Sequence, residues 1–391
     1  MSDPAIVIDS EIINEYRVSA APASRSGTSL TEFLRQFPTV SHELAIQALE
    51  RCQRRLVCPN HMRILERRRN ILPVLATLLT LVLPPLQAAA PFLTVEPHDP
   101  TKPQRIVLIS GDEEYRSEEL LPQLAKILAT HHGFRCTVLF AIDRKDGSIN
   151  PAQADNIPGL DALDSAGLMI ILTRFRDLPD DQMKHIIDYV ESGKPIVALR
   201  TATHAFQLKS SKTYANYTWN APDGGFGRRV LGETWLKHHG EHGEQSTRGI
   251  LNSKGNPILK GIRDGALWSK TDVYETRIPL PGDSKVLVYG QVLTGMNPND
   301  PAAQGPVNNP MMPIVWTKTY KGARIFTTTL GTSEDLLIDA DRRLFVNAVY
   351  WALGLERQIT ADSNVSLVGT YHPHPFGFGG HTKGLTIDQL R

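Results

Sequence analysis

The sequence predicts an α/β protein built on a doubly wound, mostly parallel sheet with helices on both faces and a long insertion after the fourth strand. Short apolar runs, the amphipathic stretches between them and the glycines that end those stretches carry this expectation. Arg105-Ile-Val-Leu-Ile-Ser110 is an apolar run of the kind that parallel sheets bury on both faces. Glu118 and Glu119 then favour a helix start, Leu120, Leu121, Leu124, Ile127 and Leu128 form its apolar stripe, and Gly133 stops it. Residues 136–140 give the second strand and 167–172 the third. An amphipathic helix over 179–191, carrying Met183, Ile186, Ile187 and Val190, leads past Gly193 to the fourth strand at 195–199.

Beyond Leu199 the periodicity fades, and residues 205–265, rich in Gly, His and Lys, read as an elaborated insertion on the ligand-binding edge. Strands are predicted again at 273–277, 285–292, 313–317 and 323–328, and a last helix over 341–353 turns Leu344, Phe345, Ala348, Val349 and Ala352 to the core. The tail from Glu356 has neither helical nor strand period.

Residues 62–90, MRILERRRNILPVLATLLTLVLPPLQAAA, carry a basic start, an apolar stretch and a small-residue end, the pattern of a secretory signal. The expected organisation is an upstream extension or early-called start at 1–61, the signal at 62–90, a linker at 91–104, the α/β domain at 105–356 and an irregular tail at 357–391. A periplasmic or secreted location follows from that signal, retention of the segment as an anchor being the alternative. The apolar stretch from Ile71 to Leu83 is too short to span a bilayer, so no transmembrane span is expected beyond it. Net charge is +1 and no basic run outside the signal is interleaved with aromatics, which argues against a nucleic-acid partner. Of three cysteines only Cys136 follows the signal, so no intrachain disulfide is expected there.

In a sheet of this type ligands bind beyond the carboxyl ends of the strands. The residues there are Asp112, Glu113, Glu114, Tyr115 and Arg116, then Thr173 to Arg176, then Arg200 to His204. For Asp112 and Arg176 a helix cap or a solvated loop is the simpler reading. The segment Glu233-Thr-Trp-Leu-Lys-His-His-Gly-Glu-His-Gly-Glu244 is dense enough in imidazole and carboxylate to bind a divalent metal, zinc before others. His238 and His239 lead there, with His204 as a third ligand, and an exposed polar loop is the alternative. Trp268, Asp272, Tyr274 and Glu275 combine an aromatic platform with carboxylates, as sugar sites do, or form a plain strand with one ring in the core. Asn309 lines the same edge or a turn. His372, His374, Phe376, Phe378 and His381 form either a lid over the site or a docked tail without chemistry.

The blocks RIVLISG, LRTATHAF, LGETWLKHHG, TDVYE, PMMPIVWTKTYKGARIFTTTLG and RRLFVNAVYWALGLE resemble, in that order, the trehalose-utilisation (ThuA-like) family over most of residues 104–356. The PFGFGG tail is similar to that of secreted members from sugar-degrading bacteria. The resemblance implies a flavodoxin-like sheet similar to class I glutamine amidotransferases. Thr201, Ala202 and Thr203 stand where such an enzyme would carry its cysteine, and Leu330-Gly-Thr-Ser-Glu334 lacks the late histidine. Thiol acyl transfer is therefore not expected.

The resemblance further implies a small-molecule carbohydrate ligand. The leading expectation is an enzyme acting on a sugar or oxidised glycoside by hydrolysis, elimination or isomerisation, with a histidine-bound metal. His204, Glu113 and Glu275 are its candidate acid/base groups, and Arg200, Thr203, Trp268, Asp272 and Asn309 its candidate substrate contacts. The alternative is a non-catalytic carbohydrate-binding or scaffold protein on the same fold.

Overall fold

Twelve strands and three α-helices follow one another in the computed structural model, which describes residues 91–100, 102 and 104–391. The upstream extension and the signal-like segment lie outside the described residues. The strands are β1 (Phe92–Val95), β2 (Arg105–Gly111), β3 (Arg135–Phe140), β4 (Leu168–Thr173), β5 (Ile196–Leu199), β6 (Lys237–His239), β7 (Thr247–Leu251), β8 (Trp268–Ser269), β9 (Val273–Glu275), β10 (Lys285–Val292), β11 (Met312–Tyr320) and β12 (Ala323–Thr328). The helices are α1 (Ser117–His132), α2 (Asp180–Glu191) and α3 (Asp339–Ala352).

Ten strands form one sheet in the order β1-β3-β2-β4-β5-β12-β11-β10-β7-β8. From β3 to β12 every pairing is parallel, and the five strands run in the order second, first, third, fourth, fifth. That is the flavodoxin-like order, which places a ligand crevice where the strand order reverses beside β2. The rest of the sheet departs from the mostly parallel sheet that the alternating pattern predicts. β1 joins β3 antiparallel inside the expected linker, and β12-β11-β10-β7-β8 are joined antiparallel. The change of direction comes at Lys321 and Gly322, both at positive φ, which close a two-residue hairpin between β11 and β12.

Alternation within the strands builds two cores. Ile106 and Leu108, Leu168 and Ile170, and Val197 and Leu199 face α1 and α3, while Val107, Ile109, Met169, Ile171, Ile196 and Ala198 face α2. The segment after β5 completes the second core with Ala202, Ala205, Phe206, Phe226, Val230 and Leu231, so much of the expected insertion is a cover for one face of the sheet.

β6 and β9 form a separate antiparallel ribbon, with Lys237 opposite Glu275, His238 opposite Tyr274 and His239 opposite Val273. Gly290 of β10 lets this ribbon lie close to the sheet, since a Cβ there would stand 2.9 Å from Val273 Cγ2 and 2.5 Å from Ile314 Cγ2. Gly290→Ala is expected to lower stability by about 1–3 kcal/mol through overpacking. Urea unfolding checks this, and an unchanged midpoint would show that the ribbon can shift freely.

Candidate functional site

The carboxyl ends of β2, β4, β5 and β12 meet the β6–β9 ribbon, and the polar groups gathered there centre on Asp272, just ahead of β9. Its side chain is wholly buried and serves three partners. Oδ2 lies 2.8 Å from His238 Nδ1, while Oδ1 lies 2.9 Å from His242 Nδ1 and 3.0 Å from Arg200 Nη2. Burial works against ionisation, yet the hydrogen bonds from His238 and His242 and the charge of Arg200 hold this carboxyl below the usual carboxylate range. His242 also reaches Glu114, Nε2 to Oε1 at 3.2 Å, and its bonds to Asp272 and Glu114 raise its pKa to about 9. Near neutral pH it is an imidazolium between two carboxylates.

Arg200 forms the floor. It is fully buried at the turn after β5, with φ of 40°, a strained backbone for a residue with a side chain. Nη1 donates to the carbonyl oxygens of Asp272 at 2.9 Å and Thr329 at 2.7 Å, and Nη2 donates to the Tyr115 hydroxyl at 3.2 Å. The guanidinium also lies over Tyr274, 4.0 Å from the ring centre, and over Tyr115, at 4.5 Å. A strained strand-to-helix turn is where an α/β-hydrolase carries its nucleophile. Here the turn carries a guanidinium locked onto Asp272.

An aromatic wall adjoins the histidines. Trp235 lies 5.6 Å from His238, 5.7 Å from Trp219 and 5.0 Å from His204, and Phe175 lies 4.9 Å from His204 and 5.5 Å from Trp219. The indole N–H groups of Trp219 and Trp235 are buried and have no hydrogen-bond partner among the described residues. From the tail, Phe376 stacks on Tyr115 at 5.6 Å and lies 5.7 Å from His242.

Of the residues predicted for the site, the fold brings together His238, Asp272 and Arg200, with His204 behind them. His204 is buried and neutral, since burial first, and then the charges of Arg174 and Arg200, drive its pKa well down. Its Nδ1 lies 3.2 Å from the Thr203 hydroxyl, which is itself buried and 3.4 Å from the Arg200 carbonyl oxygen. Glu113 lies nearby with its two oxygens on Arg174 and Arg176, so it is tied up in ion pairs. Asp112 is buried and structural: Oδ1 accepts from the N–H groups of Glu114 at 2.7 Å and Tyr115 at 2.8 Å, and Oδ2 accepts from Thr201.

Other candidates lie elsewhere. Strand alternation puts His239 and Glu275 together on the face of the ribbon opposite His238, with His239 Nε2 2.6 Å from the Val307 carbonyl oxygen. Trp268 sits on β8, its indole donating to Ser246 Oγ at 3.2 Å. Asn309 is exposed at a cis bond to Pro310. In the sequence His242 carries less weight than His238 and His239, and nothing singles out Trp219. Gly240 and Gly243, at φ of 104° and 78°, turn the chain after β6 so that His242 comes back 4.4 Å from His238, ring to ring. Those two glycines were the only signal in the sequence for that return.

The metal ligands that the fold can offer therefore differ from the predicted His238, His239 and His204. One ligand atom each from His238, His242 and Asp272 lies within 4.8 Å of the others, so this group could hold a metal ion. Two imidazoles and a carboxylate are donors that borderline divalent ions take, and their ligand atoms then stand about 3.4 Å apart around bonds of about 2.1 Å. The contacts of 2.8 and 2.9 Å are hydrogen bonds, so a metal would have to displace protons and spread the trio. Arg200 on Oδ1 opposes a second cation there.

The family model for ThuA, described as trehalose utilisation, matches residues 105–352. The chain belongs to the ThuA family. The ThuA domain thus holds Asp272, both histidines, Arg200 and the aromatic wall, while Phe376 lies beyond it. Among solved structures, a putative ThuA-like protein of Parabacteroides merdae is similar at 18% identity with a TM-score of 0.42, over 64% of this chain and 90% of that one. A putative ThuA-like protein of Bacteroides uniformis matches at 15% identity and a TM-score of 0.40, over 69% and 95%. Agd3, described as a novel carbohydrate deacetylase, matches at 14% identity and 0.37, over 64% of this chain and 32% of its own. Comparison with curated proteins gives no match. Among the described residues, no helix is long and apolar enough to cross a membrane.

Proposed function

We propose that this ThuA-family protein is a carbohydrate-active enzyme that moves protons on a sugar or an oxidised glycoside through His238 and His242. The observation that carries this reading is one buried carboxylate, Asp272, holding two adjacent imidazoles beside an aromatic wall. Asp272 accepts the Nδ1 proton of His238, which leaves Nε2 of a side chain 41% exposed as a base. His242, its Nδ1–H held by Asp272, is the acid once its Nε2–H turns from Glu114 to the substrate. A base and an acid 4.4 Å apart, ring to ring, suit removal of a proton next to a carbonyl with protonation of its oxygen, or activation of water with protonation of a leaving oxygen. Trp219 and Trp235 supply flat apolar faces for the C–H face of a sugar ring.

A second reading is favoured by the spacing of His238, His242 and Asp272. A divalent ion held there, zinc first, would polarise a carbonyl or activate water. The secretory pattern of residues 62–90 supports a periplasmic or extracellular site of action.

The test uses the full chain, purified without a histidine tag, against a panel of glycosides and keto-glycosides, with elemental analysis of the protein alongside. Turnover that persists in chelator and vanishes in His238→Ala supports proton transfer. Near-stoichiometric metal lost from His238→Ala together with His242→Ala selects the metal reading. Sugar binding without turnover, unchanged in both variants, would overturn the enzyme in favour of a binding module.

A further inference from the structure

The family match ends at residue 352, yet the chain beyond it runs back across the site. The Tyr371 hydroxyl donates to the Ser333 carbonyl oxygen at 2.9 Å, and Ser333 Oγ donates to that of His374 at 3.0 Å. The His374 N–H donates to Glu119 Oε2 at 2.8 Å, and Arg116 Nε donates to the Pro375 carbonyl oxygen at 3.2 Å. The Gly377 N–H donates to the Glu114 carbonyl oxygen at 2.7 Å, directly beside the group that holds His242. Of the two phenylalanines that this strap delivers, Phe376 is wedged between Tyr115 and His242. Phe378 is 62% exposed.

A ring so exposed adds little to folding, and a lone surface phenylalanine is ordinary. Its setting is what distinguishes this one. The Arg174 guanidinium lies over two rings, 4.7 Å from the centre of Phe175 and 5.0 Å from that of Phe378. Phe175 in turn touches Trp219 at 5.5 Å and Trp235 at 6.4 Å. The rings and the Arg174 guanidinium therefore form a series from the wall beside His238 out to Phe378. Arg174 is paired with Glu113 and Glu114, so its charge is already compensated inside the protein.

We propose that Phe378, held over Arg174 by the tail, is an outer ring-stacking subsite that takes the second ring of a two-ring glycoside whose first ring lies against Trp235. The proposal rests on the carbohydrate reading above and narrows it to glycosides carrying a second sugar or an aryl group. It also makes the tail a specificity element added to the family domain.

Calorimetric titration of the full chain tests it, with glucose and methyl glucoside as one-ring probes and trehalose, cellobiose and phenyl glucoside as two-ring probes. At least one two-ring probe is expected to bind more tightly than the one-ring probes. Phe378→Ala should weaken that binding about 3- to 10-fold while leaving one-ring binding unchanged, and Phe378→Tyr should restore it. If the wild-type protein binds one- and two-ring probes equally, or if Phe378→Ala weakens both alike or neither, the outer subsite is overturned and the carbohydrate reading stands. If it binds none of the probes, the outer subsite is overturned, and turnover of the keto-glycosides decides the carbohydrate reading.

Discussion

Asp272→Ala is expected to destabilise the fold by about 3–5 kcal/mol, because it leaves the guanidinium of Arg200 buried without its carboxylate partner. Arg200 keeps its carbonyl partners and the Tyr115 hydroxyl, and two imidazoles lose the acceptor they share. Asp272→Asn, which keeps the shape and removes the charge, should cost less and report on the charge alone. The pH dependence separates the two effects. The folded pKa of His242 is raised from 6.5 to about 9, so the stability it contributes is fully present below pH 6.5 and is lost as pH rises through 9. Solvent screening at a ring about a third exposed limits that contribution to about 1–2 kcal/mol. Urea unfolding between pH 6 and 10, in chelator, should therefore show a decline in the wild-type protein that Asp272→Asn flattens. An Asp272→Ala protein as stable as wild type would mean that Arg200 finds other compensation and that Asp272 does not organise the site.

His238→Ala should lower kcat about 10²- to 10⁴-fold on any glycoside that the protein turns over, the usual span for a lost general base. Stability should fall by about 1 kcal/mol, because Oδ2 of Asp272 loses its hydrogen bond while Oδ1 stays paired with Arg200 and His242 and the vacated, partly exposed position admits water. The loss should lie in kcat rather than KM. His242→Ala should depress kcat and remove the fall in rate above about pH 9, and the double variant should cost less than the sum, since the two rings share one carboxylate. Turnover within a few-fold of wild type in His238→Ala would remove the base from the mechanism.

Much of the frame was legible in the sequence. The apolar runs of β2, β3, β4 and β5, the stripes of α1, α2 and α3, and the strands at Lys285–Val292 and Ala323–Thr328 fall where hydrophobic periodicity put them, because burial on one or both faces dictates that period. The family was legible too, from blocks whose order survives along the chain. β1 was not, since four residues of an edge strand in a proline-rich stretch carry too short a period. The antiparallel half of the sheet was also missed, because a strand's composition does not state its partner's direction.

At the site the division runs between inventory and geometry. The sequence by itself determined which ionisable groups stand at the strand ends, and so named Arg200, Asp272 and His238. Only the tertiary structure decided that His238 joins His242 instead of His239. In a strand neighbouring side chains point to opposite faces, whereas the glycine-bearing turn after β6 returns a residue four positions on to the same side. It also decided that Glu113 is tied to two arginines and that His204 is sealed among aromatic rings. Whether a group is free or already paired depends on partners far along the chain, and sequence periodicity holds no record of those distances.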